Sequence, residues 1–144
     1  MTIEIFINED TRKDFIDDIF LRHPELEKSI IQDFYRYKVT GELPSYFGTD
    51  VAYTEPHAAI KAGLMHIHLK FPPDCFPENL PQSDRKCKVG DPEKDACLVY
   101  VQGELYENKY SILGILNPDA HGMARDKNIM SYLSRMAQKF RDEN

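Results

Sequence analysis

The strongest chemical signal in this 144-residue chain is His66-Ile67-His68. Met65, Ile67, Leu69 and Phe71 alternate with His66, His68 and Lys70, the period of a half-buried strand, so both imidazoles project from one face about 7 Å apart. An imidazole has an ordinary pKa of roughly 6.5, which lets one copy accept a proton while another donates one near neutral pH. Spacing alone leaves three uses open: a general acid and base, a metal site to which His121 adds a third nitrogen, or two polar residues on the wet face of a strand.

A second group, His121, Arg125 and Asp126, precedes the last helix. Backbone N–H groups and the positive end of a helix dipole favour an anion there, and Arg125 adds a planar fork suited to a phosphate. Such a group fits a reaction that builds charge on phosphoryl oxygens. Asp126, followed by Lys127, Asn128 and Ile129, stands equally in the position of an ordinary N-cap. Lys70 and Lys127 are the cations beside these two groups. Tyr46 and Tyr53, outside any regular period, are candidates for stacking on unpaired bases, whereas Phe34 and Tyr37 keep helical spacing and read as core. Asp50, in Gly48-Thr49-Asp50, has the setting of a turn residue and is a further candidate contact.

The elements that must hold these groups follow from periodicity. Ile3, Ile5 and Ile7 give a short strand; Thr11 with Asp14 resembles a capping box ahead of Phe15, Ile16, Ile19 and Phe20 on a helix. Pro24 suits the first turn of a second helix that Gly41 stops in a left-handed conformation. Residues 44–63 mix Gly, Pro, Tyr and Asp without a period and read as loop or short turns. Residues 72–95, with five prolines, read as a long, weakly ordered connection. Leu98–Gln102 and Tyr110–Leu116 form a hairpin through Gly103 and Asn108. Ile129, Met130, Leu133, Met136, Ala137 and Phe140 mark the buried face of the last helix. The order β-α-α-β-β-β-α, without internal repeat, makes one α+β domain over residues 1–144, its antiparallel sheet flanked by helices.

Bulk properties narrow the setting. Three cysteines at no zinc-finger spacing argue for a reducing compartment, and no run approaches the ~18 apolar residues of a membrane span, so a cytoplasmic protein with no membrane partner is expected. The net charge of −6 runs against phosphate binding, but it is unevenly spread: Asp14, Asp17, Asp18, Glu25, Glu27 and Asp33 load the first third, while Arg125, Lys127, Arg135, Lys139 and Arg141 make the C-terminal segment basic.

From Asp33 onward five blocks stand in register with one known pattern: D-F-x-x-Y-K-x-x-G-x-L-P-x-x-F-G-x-D at Asp33–Asp50, H-I-H-L at His66–Leu69, L-V-Y-x-Q-G at Leu98–Gly103, I-L-x-P-x-x-H-x-x-A-R-D-x-N-x-M at Ile115–Met130, and M-A-x-x-F-R at Met136–Arg141. On these blocks the chain resembles the YafO-type toxins over residues 33–141, with residues 1–32 matching loosely and Thr49 standing where the pattern carries arginine. The resemblance implies a type II toxin–antitoxin toxin with a RelE-like fold, a ribosome-dependent endoribonuclease that cuts mRNA without metal or other cofactor and is held inactive by a cognate antitoxin.

Joined to the residues, it implies attack of an mRNA 2′-hydroxyl on the adjacent phosphate. His66, His68 and His121 would divide the acid and base roles and Arg125 would stabilise the phosphorane, with Asp50, Tyr53, Lys70, Asp126 and Lys127 holding the RNA. Two rivals remain at this point: a metal-dependent hydrolase built on His66, His68 and His121, and an inert protein-binding module that uses the acidic helices.

Overall fold

The computed structural model describes residues 2–144. Strand β1 (Glu4–Ile7) is followed by two short helices, α1 (Arg12–Phe15) and α2 (Asp17–Arg22), where one was expected. The break falls at Ile16, whose φ of −128° leaves the helical region. The Thr11 hydroxyl does not cap α1; it donates to Asn8 Oδ1 at 3.3 Å. Helix α3 (Pro24–Thr40) behaves as its sequence dictates, with Pro24 in the first turn and Gly41 at φ +78° closing it by an N–H bond to the Tyr37 carbonyl.

Strands β2 (Phe47–Ala52), β3 (Met65–Leu69), β4 (Cys97–Gln102) and β5 (Lys109–Leu116) complete a five-stranded sheet of order β1-β5-β4-β3-β2. The α+β class holds. The sheet is mixed, because β1 runs parallel to β5 while all other pairs are antiparallel. Two elements arise where no period was seen, β2 itself and α4 (His57–Lys61). Helices α5 (Ala120–Met123) and α6 (Lys127–Glu143) end the chain.

The pleat of β3 sorts the interior. Ile67 and Leu69 face α3, whose Leu26, Ile30 and Phe34 are spaced one turn apart and fully buried. There Phe34 meets Tyr100 and Tyr110 edge-on. On the opposite face Leu64, Val99, Val101 and Leu113 pack under Met130, Leu133 and Ala137 of α6. Because α6 lies on β4, β5 and α4, it does not cover the part of β3 that carries His66 and His68. Residues 72–95 are ordered as a strap along the free edge of β2, with the Thr49 N–H donating to the Arg85 carbonyl and the Phe76 N–H to the Ser45 carbonyl. Among the described residues no helix is long and apolar enough to cross a membrane.

Candidate active site

His66 is paired in register with Val51 and Val99, and His68 with Cys97, so both imidazoles emerge on the α6 face as the alternation requires. His121 comes to meet them from α5. That short helix is pinned at its start: Asp119, in the left-handed region at φ +54°, accepts from the Gly122 N–H, and the Asp119 and Ala120 N–H groups donate to the carbonyls of Pro92 and Asp95. A side chain at Gly122 would collide with the Asp119 carboxylate.

The three rings form a row. His66 and His68 have centroids 5.8 Å apart, and His68 and His121 5.6 Å apart. With Tyr53, Asp95, Ala120 and Ala124 they wall a hollow of about 40 Å³, enough for a few waters or for one corner of a larger group. Each ring is held differently. Tyr53 stacks on His66 with centroids 4.0 Å apart and planes 15° from parallel. The Cys87 N–H donates to His68 Nδ1 at 2.9 Å, so a neutral His68 carries its proton on Nε2. Asp95 Oδ2 takes both the backbone N–H of His121 at 3.0 Å and its ring Nδ1 at 2.8 Å. That carboxylate is 1% exposed and the His121 side chain 31%, so His121 turns its Nε2 outward and forms an ion pair when protonated.

Electrostatics separate the rings further. Burial, reinforced by repulsion from His68, pushes His66 down to about 4, and burial with the charge of His121 lowers His68. Both are therefore neutral at pH 7. His66 Nδ1 is buried with no hydrogen-bond partner, whereas the other two imidazoles each have one Nδ1 partner.

Among the described residues no three His, Cys, Asp or Glu side chains are grouped to hold a metal ion, so the metal-hydrolase rival has no donor set. Several expected contacts take other places. Arg125 is exposed in the turn between α5 and α6, outside the lining of the hollow. Asp126 is the N-cap of α6, its Oδ1 accepting from the N–H groups of Asn128 and Ile129 at 2.9 and 3.2 Å. That carboxylate fills the end of the helix where an anion was expected, and Lys127 beside it is exposed.

Asp50 faces away from the histidines. It accepts from the Tyr37 and Tyr100 hydroxyls, each at 2.8 Å, and pairs with Lys38 at 3.3 Å, which makes it a half-buried tie between α3, β2 and β4. Tyr53 and Tyr46 are each 7% exposed and offer no face to a base; the Tyr46 hydroxyl donates to Asp33. Lys70 is half-buried at the end of β3 with its ammonium 5.0 Å from the Phe76 ring. Asp95 was missed. It sits 26 residues from His121 at the end of a proline-rich stretch, and no local spacing marks it.

A protein-family model described as "Toxin YafO, type II toxin-antitoxin system" matches residues 35–142. The chain belongs to the YafO toxin family. It is also 36% identical over 116 residues to the mRNA interferase toxin YafO of Escherichia coli (strain K12), covering 78% of this chain and 83% of that one. No solved structure matches it. Every residue of the histidine row falls inside the YafO match, as do Asp95 and the whole strap. Membership in a type II toxin–antitoxin family implies an antitoxin as partner.

Proposed function

We propose that this YafO-family toxin is an mRNA interferase whose cleavage centre is the row His66, His68 and His121, working in the cytoplasm on mRNA held by the ribosome. The observation that carries it is the meeting of three imidazoles from β3 and α5 in one hollow, with a buried carboxylate behind the last of them.

In-line displacement at phosphorus needs a proton acceptor at the attacking oxygen, a donor at the leaving oxygen and stabilisation of the oxygens between them. The row supplies these in order. His66, held neutral by burial, takes the proton of the 2′-hydroxyl. The new bond forms between the 2′-oxygen and phosphorus, and the bond to the 5′-oxygen breaks. His68 donates its Nε2–H to a phosphoryl oxygen. His121, as the imidazolium paired with Asp95, protonates the departing 5′-oxygen. The products are a 2′,3′-cyclic phosphate and a 5′-hydroxyl, and no water takes part. Arg125, on the exposed turn beside His121, reaches the phosphate from outside the hollow, with Lys70 and Lys127 as further contacts to the strand. Acid and base roles of this kind contribute about 10²–10⁴-fold each. Positioning the 2′-hydroxyl in line falls to the ribosome, which confines cutting to translated messages.

Mapping mRNA 5′ ends in a translating extract tests the assignment. Wild type yields new 5′-hydroxyl ends inside coding regions, while His66→Ala and His121→Ala each lose them by about 10²-fold or more. Undiminished cutting by both variants ends the assignment of the row. An absence of cutting by the wild type ends the function.

A further inference from the structure

We infer that the groove lined by Lys70, Lys86, Lys88 and Lys94 binds the single-stranded RNA that flanks the cleaved phosphate, an inference that rests on the histidine row being the cleavage centre. This groove, about 780 Å³ in volume, is formed between the end of β3 and the strap. Its lining is linked to that of the histidine hollow at three points. Lys70 follows His68 by two residues, just past the end of β3. Cys87, in the groove lining, supplies the N–H that holds His68 Nδ1. Lys94 is bonded directly to Asp95, which holds His121. The charge of Lys86 is itself felt at His68. An RNA strand with one phosphate among the imidazoles therefore has this groove as its continuation.

The lining has the two features that sequence-tolerant binding of a single strand needs, cations for phosphates and an aromatic surface for bases. Lys86, Lys88 and Lys94 are exposed. Among the described residues none of the four lysines makes an ion pair, although Asp74, Asp91 and Glu93 share the groove. Of the five basic residues in the C-terminal segment, two are already matched, Lys139 with Asp10 and Arg141 with Glu104. The aromatic surface is the stack of His23 on Phe71, centroids 4.0 Å apart and planes 11° from parallel, which closes one end of the groove. Those three carboxylates interrupt the positive field, so the groove tracks individual phosphates rather than acting as a broad basic patch.

The test is binding of a short fluorescent RNA whose riboses are all 2′-O-methylated, so that it lacks the nucleophile and cannot be cut. For the full chain carrying Lys86→Gln, Lys88→Gln and Lys94→Gln together, affinity at low salt falls about 10-fold or more. The slope of log affinity against log salt becomes shallower by about 2, at roughly 0.7 per phosphate contact. Unchanged affinity in the triple variant overturns the inference, as does a wild type that fails to bind the probe. Unchanged RNA affinity with lost binding of the antitoxin overturns it in favour of an acidic protein partner. If the triple variant loses RNA while His66→Ala and His121→Ala still cut, the groove stands and the cleavage centre has been misplaced.

Discussion

Two aspartates, one expected to matter and one not, divide the labour at this end of the molecule in opposite ways. The Asp95 carboxylate accepts hydrogen bonds from His121 alone, through Oδ2, while its Oδ1 is buried without a partner. Its carboxylate is thus committed to orienting one imidazole and matching its charge. Asp95→Asn keeps the shape but removes the charge, so cleavage in a translating extract drops by about 10²-fold while the urea midpoint moves little. A variant that cuts like wild type removes Asp95 from the mechanism. Asp50 shows the reverse pattern. It gathers two tyrosine hydroxyls and the Lys38 ammonium on the far face of the sheet, where Lys38 also lies 4.6 Å from the Tyr100 ring. Asp50→Ala strands that ammonium and costs about 3–5 kcal/mol of folding stability, measured by denaturant unfolding. A loss of RNA affinity with full stability would instead restore Asp50 to the RNA contacts.

At the scale of elements, the sequence made legible those with an undisturbed period: β3, α3, the β4–β5 pair and α6. It concealed β2 because that strand does not alternate. Phe47, Gly48 and Thr49 are all buried in succession, the register slips between Phe47 and Asp50, and the strap covers what would otherwise be the exposed edge. The same cause hid half of the site. His66, His68 and His121 announce themselves by type and spacing, but their supports are a backbone N–H at Cys87 and a carboxylate at Asp95, both supplied by the strap from a distance. Arg85 keeps the strap shaped by donating to the carbonyls of Leu80 and Glu78, and Gly48 lets it lie close. A Cβ at Gly48 would collide with the Arg85 carbonyl and come within 3.0 Å of His68 Cβ. Gly48→Ala therefore costs about 1–3 kcal/mol and speeds amide hydrogen exchange at Thr49 and Cys87, whose N–H groups bond to Arg85 and His68. Unaltered exchange at both amides means that the strap does not depend on this close approach.

For the whole molecule, the net charge of −6 coexists with a site that needs an anion close by, and the fold resolves this by placement. Of the acidic side chains of the first third, Asp17 is matched locally by Arg12, Asp18 by Arg22 and Glu25 by Lys28, while the lysines beside the histidines stay unpaired. Burying two imidazoles there has a consequence for stability. The unfolded chain protonates His66 near its ordinary value of 6.5, whereas the fold resists until about 4, and His68 is displaced in the same direction. Between these values the unfolded state binds more protons than the native one, so stability is full above pH 6.5, falls as pH drops towards 4, and gains no further loss from His66 below that. The contribution of His66 over this window is about 3 kcal/mol. Replacing it with a side chain that does not titrate removes that part of the slope. Urea unfolding of wild type and His66→Gln at a series of pH values therefore gives curves that converge as the pH falls, the variant losing less stability than wild type across the window. Parallel curves would mean that His66 titrates in the native toxin near its unfolded value, so that burial does not hold it neutral through the window.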